Sequence, residues 1–182
     1  VVDLDVHQSD GTIADMRKDP DVSILSMHQW DNFPGYDSGW KDYTGSGEGR
    51  GTVFNYPLPD GVTGEVYNSL LEEALGEVME ESDPDLVLYQ AGRDVHHQDS
   101  LGELNLDLNE IYRRDRQVME KTDAPVVVMG GGGYGPKAAE AAVNTAGAAV
   151  GTQVYEEESG HEPSEANLEK IDTWYDMALT GP

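Results

Sequence analysis

The sequence predicts an α/β fold, a parallel β-sheet flanked by helices on both faces. Three observations carry that expectation. Short apolar runs alternate with stretches of helical spacing along the chain. The runs are nearly continuous in apolar residues, as strands covered on both faces are. Three polar clusters follow such runs directly, and open α/β sheets carry their ligands beyond the carboxyl ends of the strands.

In order, residues 1–6 (VVDLDV) read as a buried strand with polar groups at its end. Residues 22–27 (VSILSM) form a second apolar run, set off by Asp19-Pro20-Asp21. Residues 30–51, rich in Gly, Asp and aromatics, make a long loop, and loops of that length in compact domains are usually functional or disordered. Residues 52–56 are a third strand, closed by Pro57-Leu58-Pro59-Asp60-Gly61. Val66, Tyr67, Leu70, Leu71, Ala74, Leu75, Val78 and Met79 then follow helical spacing. Residues 86–89 (LVLY) are a strand behind Asp83-Pro84, and Asp107 with Glu110 starts a helix through Lys121 in the manner of a capping box. Residues 125–129 (PVVVM) are the last strand, ending in four glycines, and the alanine-rich residues 136–150 suit a helix packed closely on a sheet. We read residues 1–155 as a partial domain and residues 156–182 as an acidic tail with a helix near 164–177. The opening Val1-Val2-Asp3 reads as the middle of a strand, so Val1 is not expected to be the natural start of the protein.

Composition narrows the function. Thirty-six Asp and Glu stand against 11 Lys and Arg, a net charge of −25, and the acidic residues are dispersed. A dispersed excess predicts a surface kept hydrated in strong salt, where a Debye length of about 3 Å screens the self-repulsion. This points to a salt-loving source; attraction of lysine-rich partners is the rival explanation and is compatible with it. No basic patch is visible, which argues against direct nucleic-acid binding. The chain has no cysteine, so it has neither disulfides nor a thiolate metal site. No run approaches about 18 apolar residues and no signal-peptide pattern is present, so a cytoplasmic protein without a membrane span is expected.

Three clusters carry chemistry. In Asp3-Leu4-Asp5-Val6-His7, strand alternation puts Asp3, Asp5 and His7 on one face and Leu4 and Val6 on the other. Three polar groups on a buried strand need a partner, and a cation is the natural one; the alternative is a solvated strand edge. In the second cluster, residues 90–102, Asp94 is placed to be a third ligand, whereas His96 and His97 are more readily explained by hydrogen bonding or solvent. The third is Gly130-Gly131-Gly132-Gly133 with Tyr134, read either as a close backbone approach to a ligand or as a tight turn with Tyr134 in packing. No Gly-Lys-Ser/Thr follows, and the order GxGxxG is not met, so neither a P-loop nor a dinucleotide loop fits.

DLDVHQSDGT (Asp3 to Thr12), AGRDVHHQDSLG (Ala91 to Gly102) and GGGGYG (Gly130 to Gly135) together resemble histone deacetylases and their bacterial and archaeal relatives, in order and spacing. VSILSMHQW, NFPG and PLPDGVTGEVY add to the likeness, which spans about residues 1–150. The resemblance implies an arginase/deacetylase-like fold of which the amino-terminal part is missing. It implies a zinc ion held by Asp5, His7 and Asp94, with Tyr134 polarising the substrate carbonyl. It also implies a monovalent cation, usually potassium, held by Asp3, Ser26 and backbone oxygens of Asp5, His7 and Met27. Phe33, Leu101 and Gly132 match the substrate channel, and Asp3 and Asp10 match aspartates that orient a histidine pair.

That pair is the family's general base and precedes the first cluster in its members; here nothing stands before Val1. The expected reaction is hydrolysis of acetyl-lysine in peptides, with this chain inactive by itself. Deacetylation of acetylpolyamines or other small acetylated amines, a two-manganese ureohydrolase of the arginase kind, and a metal-binding fragment without turnover are the alternatives. The oligomeric state is not legible in the sequence.

Overall fold

The computed structural model describes residues 1–158 together with Glu165. The helix expected near 164–177 lies outside them, Glu165 excepted. Five parallel strands form one sheet: β1 (Val2–Asp3), β2 (Ile24–Gln29), β3 (Val53–Leu58), β4 (Val87–Ala91) and β5 (Val126–Gly130), in the order β3-β2-β1-β4-β5. Its helices are α1 (Asp10–Met16), α2 (Gly64–Ser82), α3 (Leu108–Glu120) and α4 (Ala138–Ala148). The chain proceeds outward from β1 to β3 on one side and returns to place β4 and β5 on the other. The order therefore reverses between β1 and β4, and such a switch point is where an open α/β sheet forms its crevice.

Burial explains the strand characters. Every residue of β2 is buried, as befits a strand covered on both faces. β3 is an edge among the described residues, so Pro57 can sit opposite His28 without breaking an inner ladder. β5 pairs only with β4 among the described residues and leaves Val127 and Val128 exposed. The main core joins Val2, Leu4, Leu25 and Met27 to Tyr67, Leu71 and Leu75 of α2 and to Ile111 and Val118 of α3. A smaller core of Ile13, Ile24 and Val53 lies under α1. The cap expected for α3 is present in both directions: Glu110 N–H donates to Asp107 Oδ1 (2.8 Å) and Asp107 N–H to Glu110 Oε2 (2.9 Å).

Four expectations change. The first strand closes after Asp3 rather than running to Val6, because side-chain carboxylates take the next amide hydrogens. Asp5 N–H goes to Asp3 Oδ1 (3.1 Å), Val6 N–H to Asp94 Oδ1 (2.9 Å) and His7 N–H to Asp5 Oδ1 (3.1 Å). The second strand starts two residues later and extends into His28 and Gln29, whose backbones pair with β3. The third strand, expected to close at Pro57, runs on to Leu58, because at this side of the sheet proline costs no inner ladder bond. Helix α1 was not anticipated: it has one buried apolar residue, Ile13, and so no readable periodicity.

Candidate metal centre

Asp5 and His7 leave the end of β1, and Asp94 leaves the end of the neighbouring β4, so the switch point brings them together. One ligand atom from each lies within 4.8 Å of the others. His7 Nδ1 is 2.8 Å from Asp5 Oδ1 and 3.2 Å from Asp94 Oδ2. Gly132, within the glycine run, donates its N–H to Asp5 Oδ2 (2.7 Å) and accepts from Arg93 N–H (2.6 Å), which closes the third side of the cradle. The glycines are required by contact: a Cβ on Gly92 would stand 2.4 Å from Asp5 Cα. Leu4 and Val6 point the other way, into the core, as alternation demands.

Two carboxylates in one dry cradle are electrostatically opposed. Burial and the nearby Asp5 carboxylate push Asp94 up to about 7. Asp5 moves down: burial opposes that, but hydrogen bonds outweigh it, including those from the Gly132 and His7 amides. Asp94 Oδ2 is buried and accepts no hydrogen bond among the described residues. An unsatisfied carboxylate oxygen beside an imidazole nitrogen and a second carboxylate fits a divalent cation such as zinc, which takes O and N donors and keeps a position open with three protein ligands.

A second cluster of similar composition behaves differently. His96 Nε2 and His97 Nε2 meet the two oxygens of Glu157 at 3.0 and 3.1 Å. Gln98 N–H donates to His96 Nδ1 (3.1 Å), so the proton of the neutral ring sits on Nε2 and is donated to Glu157. A metal-bound imidazole has the reverse arrangement, with its free nitrogen carrying the proton. Burial keeps His96 below its ordinary pKa, which favours the neutral ring. Glu157 also accepts from Leu108 N–H (3.1 Å) at the start of α3. The cluster is a tether for the segment after α4, and it accounts for His96 and His97 by hydrogen bonding.

Burial by itself would raise Glu157, but hydrogen bonds from His96, His97 and Leu108 prevail and hold it at about 2. A carboxyl lowered on folding stabilises the fold above its unfolded pKa of about 4.3 and loses that contribution as the pH falls through the folded value. Glu157→Gln should therefore lower the melting temperature at pH 7, and the gap to the parent should narrow as the pH falls from about 4.3 towards about 2. A gap that is constant across that range in thermal melts would remove the tether from the acid response.

The remaining predicted residues fall as follows. Asp3 is buried, and burial pushes its carboxyl up to about 6; Ser26 Oγ accepts Ser9 N–H (3.2 Å) and lies 2.9 Å from His28 Nδ1. Met27 is fully buried in β2. Asp10 opens α1, half-buried. Phe33 is 73% exposed with its ring 6.3 Å from that of His7, and Asn32 Nδ2 donates to Leu101 O (3.0 Å), joining the two rim positions. Tyr134 is 61% exposed, outside any core. Sequence reasoning passed over Asp99 and Arg114. The sign for Arg114 was present: with Asp115 it interrupts the stripe Leu108, Ile111, Val118 on the buried face of α3.

The sequence profile of the histone deacetylase domain matches residues 1–150. Rice histone deacetylase 10, a chloroplast protein, is 32% identical over 120 residues, 66% of this chain and 27% of its own. A crystal structure of a histone deacetylase homologue complexed with SAHA superimposes with a TM-score of 0.76 at 30% identity, covering 94% of this chain and 45% of the other. An acetylpolyamine aminohydrolase from Burkholderia pseudomallei shares the fold, with a TM-score of 0.72 at 24% identity over 81% of this chain and 43% of its own. The chain spans less than half the length of the curated relatives it matches.

Proposed function

Because the chain belongs to the histone deacetylase family, we propose that it is the metal-bearing part of a zinc-dependent amidohydrolase that removes acetyl groups from acetyl-lysine. The observation that carries this is the cradle of Asp5, His7 and Asp94, whose buried Oδ2 accepts no hydrogen bond among the described residues. Asp5 and Asp94 supply carboxylate oxygens and His7 its Nδ1, while the amides of Val6 and Gly132 hold the two carboxylates in orientation. Bound zinc would polarise the amide carbonyl and lower the pKa of water towards about 7. Tyr134 donates its phenolic hydrogen to the oxygen that gains charge on attack. Asp3 and Ser26, with backbone oxygens of Asp5, His7 and Met27, hold the monovalent cation, a role that suits a buried carboxyl raised to about 6.

A base must take the proton from water and return it to the leaving amine. His96 and His97 are engaged with Glu157 and do not serve. On this reading the 182-residue chain holds metal but turns over slowly or not at all by itself, and activity needs the family's histidine pair. Metal analysis should find one zinc per chain, and a count of two would favour the two-metal ureohydrolase instead. In a protein that includes the histidine pair, acetate release from an acetyl-lysine peptide should fall about 10²–10³-fold in kcat on Tyr134→Phe. Unchanged turnover in that variant would sink the assignment of Tyr134.

A small cationic amide such as an acetylpolyamine is the second reading, favoured by the net charge of −25. The exposed apolar Leu101 at the rim offers no counter-charge to a second amine and weighs against it. Parallel rates on acetyl-lysine peptide and acetylspermidine separate the two.

A further inference from the structure

Asp99 is a carboxylate to which the chemistry above assigns no task. It lies in the loop after β4, beyond Asp94, and is 9% exposed. Its Oδ2 accepts two backbone N–H groups, from Tyr134 (2.6 Å) and Gly135 (2.7 Å). Its Oδ1 accepts Leu101 N–H (3.0 Å). Bonds to an ionised acceptor are about twice as strong as neutral ones, and here two converge on one oxygen. The two loops also meet backbone to backbone: a Cβ on Gly135 would lie 2.8 Å from Gln98 O and 3.0 Å from Asp99 Cα.

The rest of the Tyr134 environment offers little restraint. The tyrosine follows four glycines, has a largely exposed side chain, and extends from a strand paired on one side among the described residues. Its direction is therefore set through its backbone. The carboxylate that holds that backbone comes from the same loop that carries Asp94, so the phenol is referred to the metal cradle rather than to the body of α4.

We propose that Asp99 is the positioning residue for Tyr134, holding the phenol in register with the metal cradle and at the same time fixing the Leu101 rim. This rests on the reading of Tyr134 as the donor to the substrate oxygen.

The test uses the full chain loaded with zinc and acetohydroxamic acid as probe, because its carbonyl oxygen can accept the Tyr134 hydrogen bond without turnover. Tyr134→Phe should weaken binding about three- to tenfold, the worth of one hydrogen bond. Asp99→Ala should weaken it by a similar factor with zinc affinity unchanged, and Asp99→Asn, which keeps one acceptor oxygen, should fall between. In the Tyr134→Phe background, Asp99→Ala should add little, and amide exchange at Tyr134 and Gly135 should quicken in Asp99→Ala alone and in the pair alike. Full additivity of the two substitutions, or unchanged exchange at those amides, overturns the proposal while leaving the role of Tyr134 standing. No effect of Tyr134→Phe removes the role of Tyr134, and the positioning of it falls as well. If Asp99→Ala does not fold, the same comparison is made with Asp99→Asn.

Discussion

Gly132→Ala should lose zinc binding while the fold survives. A Cβ at that position would stand 2.0 Å from Asp94 Oδ2 and 2.9 Å from Asp5 Oδ2. Neither carboxylate can step aside. Asp94 is fully buried and tied at Oδ1 to the Val6 amide, and Asp5 Oδ2 is tied to the Gly132 amide itself. The methyl group therefore displaces a ligand or the glycine run. Disturbing groups that only orient ligands costs about 10–100-fold in metal affinity, and direct displacement of two ligand oxygens should exceed the upper end of that range. Competition with a chelator measures it. Gly11→Ala is the matched control, since its Cβ meets nothing within 4 Å and sits on α1. Zinc held by Gly132→Ala as tightly as by the parent would place the metal elsewhere.

Arg114→Met should cost more stability than any surface change. Arg114 is fully buried on α3; its Nη1 donates to Gly92 O (2.6 Å) and Leu4 O (3.2 Å), and its Nε donates to Asp115 Oδ1 (2.8 Å). Tyr89 Oη donates to the same Asp115 oxygen (2.5 Å). Removing the guanidinium leaves a buried carboxylate without its countercharge, a change that costs about 3–5 kcal/mol. Arg114→Met with Asp115→Leu should recover much of that, because removing both charges relieves the desolvation. The two carbonyls decide a second outcome. Leu4 precedes Asp5, and Gly92 lies in the segment that leads to Asp94, so the guanidinium joins the backbones beneath both halves of the metal cradle. The paired variant should therefore regain stability in urea unfolding and still bind zinc more weakly than the parent. Parental stability in Arg114→Met alone would show that the ion pair contributes nothing to the fold.

Much of the fold could be read locally. The α3 cap rests on a side chain and an amide three residues apart, so Asp107 and Glu110 announced it. Leu4 and Val6 announced by alternation the buried side of the segment that leaves β1. What misled was competition from side chains: the first strand stops early because Asp3 claims the Asp5 amide, and the distant Asp94 then takes that of Val6. Helix α1 escaped notice because a single buried Ile13 makes no pattern. Asp99 escaped because its partners are backbone amides of Tyr134 and Gly135, which leave no mark on residue type at the acceptor.

By itself the sequence determined the kind of each element except α1, the three polar clusters at strand ends, and glycine at close backbone approaches such as Gly92 and Gly135. These follow from side-chain shape, polarity and spacing, which act within a few residues. Only the tertiary structure decided that β1 lies against β4, and hence that Asp5, His7 and Asp94 close on one another while His96 and His97 turn to Glu157. The strand order arises from backbone hydrogen bonds that are alike for nearly every residue, so it is chosen by the packing of the whole sheet and its helices rather than by any local stretch of sequence.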